Sequence, residues 1–186
     1  FYKDEDYASF GHTVDIFNTY HYTIYVPSND AVLKAIENGL PTLEQAEAYV
    51  DSLNHADAEN QFDGEAYIDS IRSIIHDFVC YHIHDNSVYI GGGNVASRSF
   101  QTGTLDFETN TFYRLTVNAN NSSLNVTGGD GKVHKVLADS EKEGTLYNIM
   151  TRDYLFDNSD LQKATLIETT SFAVVHAIDG EMPLLY

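Results

Sequence analysis

Residues 22–39 read YTIYVPSNDAVLKAIENG, and this stretch constrains the fold more than any other in the chain. Tyr22, Ile24, Tyr25 and Val26 are strand formers. Pro27 has no N–H to give to a ladder, so the strand stops there. Ser28 and Asn29 are both good helix N-caps, Val32, Leu33, Ile36 and Leu40 follow at helical spacing, and Gly39 is a natural exit. A chain that passes from strand to helix in so few residues must pack a sheet and helices into one core, with Pro27 and Asn29 turning and capping the corner.

The remaining segments fit that demand. The N-terminal residues up to Val26 are aromatic and β-branched and read as strand and loop. Thr42 and Gln45 have capping-box spacing and open a second helix, TLEQAEAYVDSLN. HADAENQFDG is a polar loop. A third helix, EAYIDSIRSIIHDFV, repeats Tyr67, Ile68, Ile71, Ile74, Ile75 and Phe78 at helical period. From Cys80 the chain turns to strands, CYHIHD, SVYIGG, FYRLTVNAN, LNVTG and KVHKVL, with GGDG at 128–131 marking a hairpin. LYNIMTRDYLF suits a strand or a short helix, and TSFAVVHAID reads as the last strand. Helices grouped early and strands late give an α+β class rather than alternating βαβ units.

Composition bounds the partners. With 28 acids against 10 bases the chain carries a net charge of −18, which argues against nucleic acid and against anionic lipid surfaces. No apolar run reaches the length of a membrane span. The single cysteine, Cys80, excludes an intrachain disulfide, and its apolar neighbours mark it as a buried, inert thiol. At 186 residues the chain is one domain. It opens at Phe1 without a signal peptide and reads as a mature piece of a larger protein.

Three pieces, in order, resemble the fasciclin-like domain family. TIYVPSNDAV at 23–32 is similar to the family's first motif, Tyr81-His82 after the isoleucine-rich helix to its short Tyr-His motif, and FAVVHAIDGEMPL at 172–184, with His176 and Asp179, to its closing motif. The resemblance spans residues 1–186 as a single domain. It makes the acidic helix-loop at about 42–66 and a second segment at about 140–165 insertions, while residues 1–22 replace helices that the family places before its first motif. It implies an α+β, wedge-shaped β-sandwich with helices packed along one edge. It further implies adhesion or protein interaction outside the cell, on a secreted or surface protein of a bacterial envelope, with no cofactor and no general reaction. A membrane is reached only through a lipid anchor outside this stretch, and sister domains in tandem are expected. By the same resemblance Cys80, Tyr81, His82 and Ile83 form the interaction patch, facing a protein partner or a cell-surface glycan, and the segments holding Pro27 and His176 meet as a structural clasp.

Other chemistries are weaker. His82 and His84 share a face if they lie on a strand, and His176 is a candidate third zinc ligand for a metal-dependent hydrolase. A structural role, one imidazole hydrogen-bonded and one exposed, is the default. Asp57, Glu59, Asn60, Asp63 and Glu65 are calcium-type ligands without EF-hand spacing and read as a solvated acidic face. IGGGN at 90–94 lacks the lysine of a phosphate loop, and no G-x-S-x-G elbow occurs. Sequons at Asn120, Asn121 and Asn125 match turn composition. Tyr20, Tyr22, Tyr25, Phe112 and Tyr113 are candidates for a sugar-stacking strip, the basis of a second reading as a glycan-binding accessory module, although strand alternation points about half of them inward.

Overall fold

The computed structural model describes residues 21–56, 62–90, 93–137 and 173–183. Residues 1–20, the segment at 140–165 and LYNIMTRDYLF lie outside these. The described elements run β1 (Tyr22–Pro27), α1 (Asn29–Glu37), α2 (Leu43–Ala56), α3 (Glu65–Tyr81), β2 (Ile83–Asp85), β3 (Val95–Asp106), β4 (Thr111–Ala119), β5 (Leu124–Thr127), β6 (Val133–Lys135) and β7 (Ala173–Ile178).

The strands form one seven-stranded sheet in the order β6-β5-β4-β3-β2-β1-β7. A bridge from Val136 to Ile178 brings the end of β6 against β7, so the sheet is nearly a closed barrel. Closure gives the outermost strands partners and removes the open edges that invite aggregation. The fold is therefore mixed α and β, with one continuous, almost closed sheet where two stacked sheets were expected. Inside it Leu115, Val117, Leu124, Val126, Ile178 and Met182 are fully buried, with Tyr25, Phe78, Tyr81 and Phe100 around them.

The proline corner is built much as its residues dictate. Ser28 alone is the N-cap, its Oγ accepting from the Ala31 N–H at 3.2 Å. Asn29 is the first helical residue and is exposed, so the capping role assigned to it from sequence belongs to Ser28. Gly39 ends α1 at φ +114°, where the Gly39 N–H reaches the Ile36 carbonyl and the Leu40 N–H the Ala35 carbonyl. This paired arrangement satisfies two of the orphan carbonyls at a helix end and needs a residue tolerant of positive φ. Thr42 and Gln45 exchange the two expected side-chain-to-backbone bonds at the start of α2, both at 3.2 Å.

Three strand assignments differ from the sequence reading. α3 continues through Cys80 and Tyr81, His82 caps it, and β2 begins only at Ile83. Residues 87–90 of SVYIGG contribute no strand. Val88 and Ile90 are instead buried in an irregular link. β3, the longest strand at 12 residues, went unpredicted because its inward positions after Phe100 are Thr102 and Thr104, which give no apolar alternation. α3 lies close on β3: a Cβ at Gly103 would stand 3.2 Å from the Cys80 Cβ.

Candidate functional site

The closing strand β7 pairs in parallel with β1, placing His176 opposite Tyr25 and Ile178 opposite Pro27. β2 pairs with the other side of β1, setting His84 opposite Thr23. Because alternate residues of a strand share a face, Thr23 and Tyr25 point inward and are fully buried. The Tyr25 ring stands between two imidazoles, 5.5 Å from His84 and 6.0 Å from His176.

Burial and hydrogen-bond partners together set how these groups are protonated. Burial pushes the His84 pKa down to about 4, so the ring is neutral. Its Nδ1–H donates to the Asp85 carbonyl, which leaves Nε2 to accept from the Tyr25 hydroxyl at 3.0 Å. Burial drives the Tyr25 phenol well above its ordinary range, so it stays protonated as the donor. His176 Nε2–H donates to the Val88 carbonyl at 2.8 Å, which secures the irregular link to β7. Asp179 Oδ1 accepts from the Lys135 N–H at 3.0 Å and faces His134 Nδ1 at 3.5 Å. The polar residues of the closing segment thus satisfy backbone groups of the 86–90 link and of β6, not of the proline corner.

His82 works as a second latch. As the cap of α3 its Nδ1–H donates to the Phe78 carbonyl at 2.7 Å, and its Nε2 accepts from the Met182 N–H at 3.0 Å. Both nitrogens are used, and burial pushes the pKa down to about 4. Tyr81 Oη accepts from the Gly129 N–H at 2.7 Å and ties the end of α3 to the β5–β6 turn. Tyr81, His82 and Ile83 are all buried and Cys80 is half-buried, so the expected interaction patch presents almost nothing to a partner. These residues position the surface around them.

The zinc arrangement is not assembled. His84 and His176 flank Tyr25, while His82 is committed to α3 and the tail at Met182. Among the described residues no three His, Cys, Asp or Glu side chains are grouped to hold a metal ion. Of the acidic loop, Asp63 and Glu65 are described, and the Asp63 carboxylate accepts from the Glu65 N–H at 3.2 Å as α3 begins. Asp57, Glu59 and Asn60 lie outside the described residues. Asn120 Oδ1 accepts from the Ser122 and Ser123 N–H groups, as a turn asparagine does. Of the aromatic strip, Tyr25 is buried, Tyr22 and Tyr113 are half-buried, Phe112 is exposed and Tyr20 is outside the described residues.

Among the described residues a concavity lies on the outer side of β1. Ile24 and Val26 form its floor, Val32 and Ile36 of α1 one wall, and Ile75, Phe78 and Val79 of α3 the other. Leu40, Pro41 and Leu43 also line it, and Asn29, Thr42, Arg72, His76 and His82 are among its polar residues. Its volume is about 880 Å³, within the range of pockets that take a small ligand or several apolar side chains. Val26, Leu43 and Val79 each keep more than a third of their surface in water, so this is an open groove. Sequence gave one signal for it. Besides Ile71 and Phe78, which are buried, α3 carries Ile75 and Val79 four residues apart, and α1 carries Val32 and Ile36 at the same spacing. Such pairs also arise in ordinary core helices.

A scan against models of known protein families gives no match to the chain, and a search of curated proteins gives none either. No helix among the described residues is long and apolar enough to cross a membrane.

Proposed function

We propose that this chain is a non-enzymatic interaction domain of the fasciclin-like type, secreted or held at a cell surface, which binds a protein partner through the groove between β1, α1 and α3. The observation that carries this reading is the groove itself, an open apolar concavity on a chain of net charge −18. An open groove lined by apolar side chains and rimmed by the exposed Val26, Leu43 and Val79 is a candidate docking surface. The order of the three motifs, and the pairing of the closing strand with the proline strand, support the family assignment. The occupied ring nitrogens of His82 and the Tyr25–His84 bond favour a structural part for these imidazoles over a hydrolytic one.

Binding of the full chain to cells and to purified surface proteins tests this, with Val79→Asp as the groove variant. Val79 is 37% exposed, so a carboxylate there reaches water and the fold should survive. The expected result is at least a tenfold loss of binding, about 1.4 kcal/mol, with an unchanged melting profile. Undiminished binding by the variant overturns the groove as the site.

The glycan-binding reading has one observation of its own. Phe107, 81% exposed, and Phe112, 45% exposed, lie at the β3–β4 hairpin, where planar rings can stack on sugars. Glycan-array binding that disappears in Phe107→Ala with Phe112→Ala, yet survives Val79→Asp, would favour it.

A further inference from the structure

We infer that the occupant of the groove is an amphipathic helix with basic flanks, supplied by another protein; this rests on the groove being the binding site. Three features select that occupant. First, the groove offers no strand edge. β1 pairs with β7 from Tyr22 to Pro27 on one side, and on the other with β2, continued by the Tyr25 N–H to the His82 carbonyl at 2.9 Å. An incoming segment therefore cannot add a strand there and must satisfy its own backbone, as a helix does, presenting only side chains.

Second, the walls are two helices over an apolar floor, and the rim residues Val26, Leu43 and Val79 stay partly in water. A small apolar molecule would leave that rim wet. A helix whose apolar face fills the floor would cover it.

Third, the surround is acidic. The lining holds no carboxylate, and its one arginine, Arg72, is already paired with Asp69 at 2.8 Å; beyond the lining, the three helices that frame or adjoin the groove carry Asp30, Glu37, Glu44, Glu47, Asp51, Glu65 and Asp77 against Lys34. Lysines or arginines beyond the apolar face of the occupant meet that field favourably, and acidic flanks are repelled. The same field opposes a second copy of this chain, which would bring a like-charged rim against it.

The test uses the full chain and fluorescent peptides of about 14 residues, roughly four turns, with Leu at helical spacing. One peptide has Lys flanks, one has Glu flanks, and one is a scramble of the first. Fluorescence anisotropy should show the Lys-flanked peptide binding at least tenfold more tightly than the Glu-flanked one, weakening as salt rises from about 20 mM to about 300 mM. Val79→Asp should weaken its apolar contact, and Glu44→Lys should weaken the charge contribution without touching the floor. Equal binding of the Lys- and Glu-flanked peptides, or binding of the scramble as tight as the parent, overturns the inference. So does a dimer in sedimentation that Val79→Asp dissolves, because the occupant is then a second copy. If cell binding is lost in Val79→Asp while no peptide binds, the groove stands as the site and the helical, basic occupant is wrong. If cell binding ignores Val79→Asp, the groove reading itself has failed.

Discussion

The buried imidazole of His82 makes a quantitative prediction about acid. Its folded-state pKa is pushed down to about 4, mainly by burial, against an ordinary value near 6.5 in the unfolded chain. The fold binds the neutral ring, because Nε2 must accept from the Met182 N–H. The unfolded chain takes up the proton first, so the contribution of His82 is intact above pH 6.5 and drains away as pH falls toward 4. Between about pH 7 and about pH 4.5 the loss is roughly 2 kcal/mol. Acid also neutralises carboxylates on a chain of net charge −18, which relieves repulsion and masks the effect in the wild type alone. His82→Gln removes the ambiguity. Its amide can donate to the Phe78 carbonyl or accept from Met182 but cannot titrate, and the carboxylate background is common to both proteins. Urea unfolding of the two proteins at both pH values gives the difference. Wild type should lose about 2 kcal/mol more than the variant, and the protection factor of the Met182 amide, taken relative to the intrinsic exchange rate at each pH, should fall in acid only in the wild type. Stability differences that stay parallel across the range would refute a neutral, titrating His82.

Two further substitutions probe the seat of α3. Gly103→Val builds side chain where the Cys80 Cβ and carbonyl oxygen would lie only 3.2 Å and 3.3 Å away, so it should destabilise by about 1–3 kcal/mol in denaturant unfolding although valine suits a strand; a neutral or stabilising result would mean α3 does not lie so close to β3. Tyr81→Phe removes the acceptor for the Gly129 N–H and should cost about 1 kcal/mol, with faster exchange of that amide, whereas an unchanged exchange rate would show that the β5–β6 turn is held by other contacts.

Sequence was most informative where one residue type performs one local task. Pro27 ended β1, the Thr42–Gln45 pair opened α2, Gly39 closed α1, and the paired glycines at 128–131 made the β5–β6 turn, because in each case the backbone requirement selects the residue. It was less informative where tertiary contacts decide. Asn29 is as good a cap as Ser28 in isolation, and only the backbone placed Ser28 one residue before the helix. β3 was hidden by inward threonines whose hydroxyls are satisfied locally and by α3, as in the bond from Thr104 Oγ1 to the Asp77 carbonyl at 2.8 Å. SVYIGG has strand composition, yet its Val88 carbonyl and amide are taken by His176 and by the Thr23 hydroxyl, which leaves an irregular link in place of a ladder.

The candidate site shows the same division more sharply. The histidines were conspicuous in the sequence, and their i, i+2 spacing suggested two imidazoles on one strand face. That inference failed because α3 runs two residues further than its apolar pattern implied, and a helix cap stands where the third residue of the strand was expected. Once His82 is a cap, its ring lies against Phe78 and the tail at Met182, and of that i, i+2 pair only His84 stands beside Tyr25. The groove left a fainter trace, since Ile75 and Val79 look no different from core residues until the neighbours of β1 are known. β1 has sheet partners on both of its edges, so its outward residues Ile24 and Val26 need cover from helices, and residues of α1 and α3 line the groove with them. The proline corner therefore bears on function indirectly: by sending α1 to one side of β1 within a single residue of the strand's end, it sets the wall from which the opening is made.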